Sequence, residues 1–261
     1  MSQQPILLDI RDGVATVTLN NPPLNLVTLD LTRMLSQTLD ELARDNAVRV
    51  LVLTGAGDRA FSAGSDLSEF RSMMGFGQVV PKKLSKENEA YSKVDDFPKP
   101  TIAAVSGLAY GGGLELAVCC DLIVVEEHAK LCLPEIKLGV FPGSGGTVRV
   151  TRRIGEGRAK ELMYFGDPID VATAQAWGLV NRVVPRGHSL RVAQEMAAVL
   201  AQRPNRALQL CKTAIDMSFD TTEDQAVSGC LSLIDQAFST ADCREGVRAF
   251  FAKETPRFTH L

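Results

Sequence analysis

The run PTIAAVSGLAYGGGLELAVCCDLIVVEEHAKLCLPEIKLGVFPGSGGT, from Pro100 to Thr147, decides how this chain is read. It opens with an apolar segment at 101–105, of the kind that forms a strand buried on both faces. Gly107 and the triplet Gly111, Gly112 and Gly113 follow, and a helix-forming segment at 114–120 comes directly after them. A strand feeding a glycine turn that opens a helix aims unpaired main-chain N–H groups, and the positive end of a helix dipole, at one point in space. Negative charge is favoured there. Glu115 stands just inside that helix, and Glu135 follows a second apolar run at 122–125. Two carboxyls and a backbone anion site near strand ends suit acid/base chemistry through an oxyanion intermediate.

Upstream, the segments 6–10 and 14–19 flank Asp12 and Gly13, which predicts an antiparallel hairpin. Asn20 to Pro23 breaks the pattern. Thr28 can then cap a helix in which Leu31, Met34, Leu35, Leu39 and Leu42 recur at helical spacing. Residues 50–53 form the next buried strand; Ala63, Gly64 and Ser65 make a second small-residue turn, with Ser65 and Asp66 able to cap a helix beginning near Leu67. Between Arg71 and Val94 the pattern is mixed. Met73, Met74 and Phe76 among glycines suit either a cover over an apolar ligand or a loosely packed surface helix.

Downstream, helices are expected near 155–164 and over 171–177, the latter closed by Gly178, with a short strand at 179–184. The remainder, 189–253, reads as three or four helices broken at Pro204, near Asp220 and at Thr240. No internal repeat of 20 to 50 residues stands out. The whole is an α/β chain with an all-helical C-terminal third.

Composition bounds the function. The chain has 261 residues, is 45% hydrophobic and carries a formal charge of −3, so it can bury a full core and offers no basic field for nucleic acid. The N-terminus lacks a basic, apolar-cored leader, and no apolar run is long enough to span a bilayer; a soluble, cytoplasmic protein is expected. Six cysteines lack paired metal spacings and are expected reduced and packed. His128, His188 and His260 stand in polar or terminal contexts, so no metal is expected. Ser144 lies in a glycine-rich run without the G-x-S-x-G arrangement, and that run lacks the lysine of a phosphate-binding loop. Arg149, Arg152, Arg153 and Arg158 read as a solvated helical face.

The two small-residue turns matter together. An oxyanion hole for a carbonyl draws donors from different segments, and the turns at 63–65 and 111–113 are of the same kind. Taken singly, Glu115 and Glu135 can each merely complement a helix dipole. Leu114, Leu116, Leu133 and Ile136 frame them with apolar surface, however, which would raise a carboxyl pKa toward the range useful for proton transfer.

Three ordered strings, FSAGSDL (61–67), AVSGLAYGGGLELAVCCDL (104–122) and LPEIKLGVFPGSGGT (133–147), together with the closing EGVRAFFAKETPRF (245–258), resemble the enoyl-CoA hydratase/isomerase family, the crotonases. The resemblance runs nearly end to end. It implies a spiral of repeated ββα units over residues 1–195 and a helical C-terminal region over 196–261 that mediates assembly of a homotrimer or a dimer of trimers. It implies that the N–H groups of Ser65 and Gly112 form an oxyanion hole for an acyl-CoA thioester, with Glu115 and Glu135 as catalytic carboxyls. Ala63 would lie by the adenine end, Gly143 would help hold the reacting water, and Phe250 and Lys253 would help bind coenzyme A across a subunit contact. No cofactor beyond the coenzyme A of the substrate is implied. The activity expected is hydration of a 2-enoyl-CoA; a 3-enoyl to 2-enoyl-CoA isomerase and a noncatalytic acyl-CoA binder are the alternatives. One departure is plain: Asn21, Pro22, Pro23 and Leu24 supply no basic residue where family members often carry one.

Overall fold

A computed structural model describes residues 4–260. Two sheets form its frame. The larger takes β1 (Ile6–Arg11), β2 (Val14–Leu19), β3 (Val50–Gly55), β5 (Thr101–Val105), β7 (Leu122–Glu126) and β10 (Arg182–Val184) side by side in that order. β1 and β2 are the expected hairpin, and every other neighbour pair in this sheet is parallel. The smaller sheet pairs β4 (Ala60–Ser62), β6 (Leu108–Tyr110) and β8 (Lys130–Cys132) in parallel, with β9 (Ile169–Asp170) antiparallel at its edge.

The strand sequences explain why both faces of the larger sheet are covered. Side chains alternate across a strand. Leu51, Leu53, Ala103, Val105, Ile123 and Val125 join the core that holds Leu31, Leu35, Leu39 and Leu42 of the helix Leu29–Arg44. That helix starts where expected, with the Thr28 side chain accepting from Leu31 N at 3.1 Å. Val50, Val52, Ile102, Ala104 and Val124 face the other way, against Ala193, Ala197 and Ala201 of the helix Ser189–Ala201. An alanine stripe lets that helix lie close to the sheet. Burying each large aliphatic side chain contributes roughly 1.5–3 kcal/mol.

The helix Ser189–Ala201 runs across position 195, so the division expected there falls inside an element that belongs to the sheet's second layer. The chain leaves the sheet at Pro204, and the helices Asn205–Asp220, Glu223–Ser239 and Ala241–Ala252 follow.

The repeat absent from the sequence is present in the backbone. β3 then β4, β5 then β6, and β7 then β8 each send one strand to the larger sheet, one to the smaller, and then a helical turn: Leu67–Phe70, Gly112–Ala117 and the 3-10 turn Pro134–Leu138. The second and third units begin 21 residues apart, at Thr101 and Leu122, whereas the first begins far earlier, at Val50. Unequal inserts erase any fixed period. Each unit places its helical turn beyond the C-terminal end of a parallel strand of the smaller sheet; Gly112, Glu115 and Glu135 lie on those turns, and Ser65 just before the first.

The arginine face differs from its expected role. Arg149 and Arg153, one turn apart, are only partly exposed: Arg149 Nε pairs with Asp95 at 2.8 Å, and Arg153 donates to the carbonyls of Val118 and Cys120, just beyond the helix Gly112–Ala117. Long stems let a guanidinium reach inward over apolar surface, and charge at a helix C-terminus complements its dipole.

Candidate active site

Ser65 and Gly112 are brought together. Ser65 forms a parallel bridge with Val27 through the Gly64 carbonyl and the Asp66 N–H, so its own N–H, on the alternating side of the strand, turns away from Val27. Gly112 is the first residue of the helix Gly112–Ala117, where N–H groups lack partners within the helix. A Cβ added to Gly112 would lie 3.5 Å from Ser65 N, and one added to Gly64 would lie 3.1 Å from Gly112 N. The two turns therefore face each other across the width of a single atom group. Gly111 adopts φ +50° and ψ −127°, a conformation that only glycine takes without strain, and it tips the helix toward this point.

Glu115, one turn into the helix, is 3% exposed. Its Oε1 accepts the N–H groups of Ser144 and Gly146, each at 2.8 Å, from the glycine-rich loop that ends in the helix Gly146–Ile154. Burial nonetheless dominates and pushes its pKa up to about 7; the nearby carboxyls of Glu135 and Glu87 raise it further, and the two N–H donors oppose the rise. Glu135 enters from the third unit. Pro134 starts its 3-10 turn and Gly139 ends it in the left-handed region. Glu135 Oε1 lies 3.0 Å from the position of a Cβ on Gly111, and its Oε2 is buried without a partner. Burial raises its pKa too. Glu135 thus faces the Gly111 turn and Glu115 the loop at 143–146, and burial favours the protonated form of each.

The other expected residues divide. Ala63 directly precedes the Gly64–Ser65 turn and donates its N–H to the Leu24 carbonyl at 2.9 Å, while the Gly143 carbonyl accepts from Asn88 Nδ2 at 2.7 Å beside the Glu115 loop. Phe250 and Lys253 lie elsewhere. Phe250 is 78% exposed, near the end of a C-terminal helix that packs on the helix Glu223–Ser239, and Lys253 closes that helix with φ +57°. Within one chain they do not join the acids.

Three residues were missed by sequence reading. Lys83, Glu87 and Tyr91 recur at four-residue spacing along the π turn Val80–Leu84 and the helix Ser85–Asp95, and all three are fully buried. The Tyr91 hydroxyl lies 3.2 Å from the position of a Cβ on Gly112 and has no hydrogen-bond partner. Glu87 accepts the hydroxyls of both Ser65 and Ser144. The signal lay in the spacing: a polar triplet in register with Ala90 and Val94, on the helix's buried face.

No described helix is long and apolar enough to cross a membrane, and no cluster of metal-ligating side chains occurs among the described residues.

A family model described as enoyl-CoA hydratase/isomerase matches residues 9–260. A probable enoyl-CoA hydratase of Mycobacterium tuberculosis is 35% identical over 261 residues, covering 100% of both chains. A crotonyl-CoA hydratase of Syntrophomonas wolfei is 33% identical over 259 residues, covering 99% of each. The crystal structure of an enoyl-CoA hydratase from Bacillus anthracis superposes with a TM-score of 0.94 at 36% identity, covering 99% of this chain and 100% of that one.

Proposed function

The chain belongs to the enoyl-CoA hydratase/isomerase family, and we propose that it is an enoyl-CoA hydratase, adding water reversibly across the double bond of a 2-enoyl-CoA thioester to give the 3-hydroxyacyl thioester. The observation that carries this reading is the approach of Ser65 N and Gly112 N to one space flanked by the buried Glu115 and the half-buried Glu135, both of raised pKa. As water adds at C3, the π electrons move toward the carbonyl, and negative charge develops on the thioester oxygen. The two amides stabilise that charge without reorganising; losing one such donor typically costs about 3 kcal/mol. Glu115, ionised, orients the water and takes its proton, while Glu135, protonated, delivers a proton to C2. Run backward, the same pair dehydrates the product.

The C3–O bond forms as the C2–C3 π bond opens, the two carboxyls move the protons and the two amides hold the charge, and coenzyme A enters as part of the substrate. Ala63 contacts the adenine end, and Gly143 helps hold the water. Phe250 and Lys253 bind coenzyme A of a neighbouring subunit in a homotrimer or dimer of trimers, in the cytoplasm. Assembly is supported by the exposed apolar side chains of Leu231, Ile234, Phe238, Phe250 and Phe251 on the C-terminal helices.

Incubating the protein with crotonyl-CoA and weighing the product tests the reaction: a gain of one water is expected. If 3-hexenoyl-CoA is converted to 2-hexenoyl-CoA while 2-hexenoyl-CoA gains no water, the hydratase reading is overturned in favour of isomerisation.

A further inference from the structure

Glu87 occupies an unusual position for a carboxylate with no part in the reaction. It is fully buried, and its oxygens accept Ser65 Oγ at 2.8 and 3.0 Å and Ser144 Oγ at 3.1 Å. The Lys83 ammonium lies 3.1 Å from Oε1 and is itself shared with Glu69 at 2.6 Å and the Val27 carbonyl at 3.0 Å. The two serines it holds are those whose main chains serve the site. Ser65 presents the N–H that faces Gly112, and Ser144 gives its N–H to Glu115. One carboxylate therefore ties the turn that meets the thioester oxygen to the loop that aims the base.

We propose that Glu87, anchored by Lys83, is a positioning residue that sets the distance between the Ser65 amide and Glu115, so that water and carbonyl are presented together. The inference rests on the hydratase reading. Its physical basis is the steep dependence of rate on placement, since a displacement of about 1 Å can cost about a hundredfold. Breaking a buried charge pair by removing one partner leaves the other uncompensated, so the tether is rigid only while both ends are present.

The test compares wild type with Glu87→Gln, Ser65→Ala and Ser144→Ala on crotonyl-CoA. The serine variants keep their main-chain N–H groups. Glu87→Gln is expected to lower kcat about tenfold or more with KM within about twofold, because the ground-state thioester is held by other contacts. Each serine variant should show part of that loss, and adding either to Glu87→Gln should cost little more, since all three act through one tether. The acid limb of the pH profile should also move to lower pH in Glu87→Gln. The titratable groups around Glu115 are Glu135 from the 3-10 turn, Glu87 and Tyr91 from the helix Ser85–Asp95, and Cys119 from its own segment. Removing the Glu87 charge lightens the repulsion on Glu115.

Should Glu87→Gln fail to fold, Lys83→Met with Glu87→Met and Glu69→Gln removes all three charges at similar volume, and it should retain a cooperative transition with the same loss in kcat. A folded Glu87 variant with wild-type kcat and an unmoved pH profile overturns the inference alone. So does full additivity with the serine variants. A wild-type protein that hydrates no enoyl-CoA overturns both readings.

Discussion

The main-chain N–H of Ser144 meets Glu115 Oε1 at 2.8 Å across 29 positions of sequence. With the Gly146 N–H at the same distance, it fixes one oxygen of the acid and leaves the other for water. The bonds favour the ionised carboxyl, yet burial outweighs them, and the balance places this acid near neutrality.

Converting Glu115 or Glu135 to Gln keeps the shape and removes the proton transfer. Each substitution is expected to lower kcat for crotonyl-CoA hydration by 10²–10⁴-fold, the ordinary contribution of a positioned acid or base. Steady-state kinetics with circular dichroism as a check on folding decides this; wild-type rates in either variant would remove that residue from the mechanism.

The working form carries one proton between the two acids, so kcat/KM should be bell-shaped in pH with a limb near 7, belonging to the coupled pair. Stability follows a definite sign. Glu115 has a folded pKa of about 7 against an ordinary 4.5, so the folded state holds the extra proton between those values, and this residue's contribution weakens as pH rises through that window. Glu115→Gln should therefore gain on wild type by about 3 kcal/mol at most between pH 4.5 and pH 8, read from urea midpoints at both. An equal difference at the two pH values would contradict the raised pKa.

Gly112→Ala places a methyl 3.2 Å from Tyr91 Oη and 3.5 Å from Ser65 N, in the space assigned to the thioester oxygen. Activity is expected to fall at least a hundredfold with a modest change in stability. Gly157→Ala is the control: it lies in the helix Glu156–Phe165 with nothing within 4 Å of the added carbon. It should leave kcat unchanged and raise stability by about 0.5–1 kcal/mol.

Tyr91 buries a hydroxyl without a hydrogen-bond partner among the described residues. Burial pushes its pKa up, so it remains protonated. Tyr91→Phe should stabilise the free protein by about 1 kcal/mol in denaturant titration, since an unmade buried hydrogen bond is removed. Destabilisation of that size would mean the hydroxyl has a partner in solution.

How far these features are legible in the sequence depends on their kind. Thr28, Asp66 and Gly178 act through their nearest neighbours, and each caps or closes a helix as read. The glycine triplet and Glu115 are equally local, because a turn and the first coil of a helix fix their relation. Lys83 and Glu87 carry no local sign of burial, because their partners, Ser65, Glu69 and Ser144, lie 14 to 57 positions away. Arg149 and Arg153 misled for the same reason: their charge points to solvent by default, and only the packed structure supplies Asp95 and the Val118 carbonyl. Strands of three residues such as β4, β6 and β8 are too short to leave an alternating pattern, so the second sheet was visible only through resemblance.

In the proposed reaction the groups that meet the carbonyl are peptide N–H groups, whereas those that move protons are side chains. A peptide N–H survives every substitution except proline, so under the proposed mechanism a single mutation can exchange either acid, and with it the fate of the enolate, while both donors persist. On that assignment the fold separates activation of a substrate from the choice of what becomes of it.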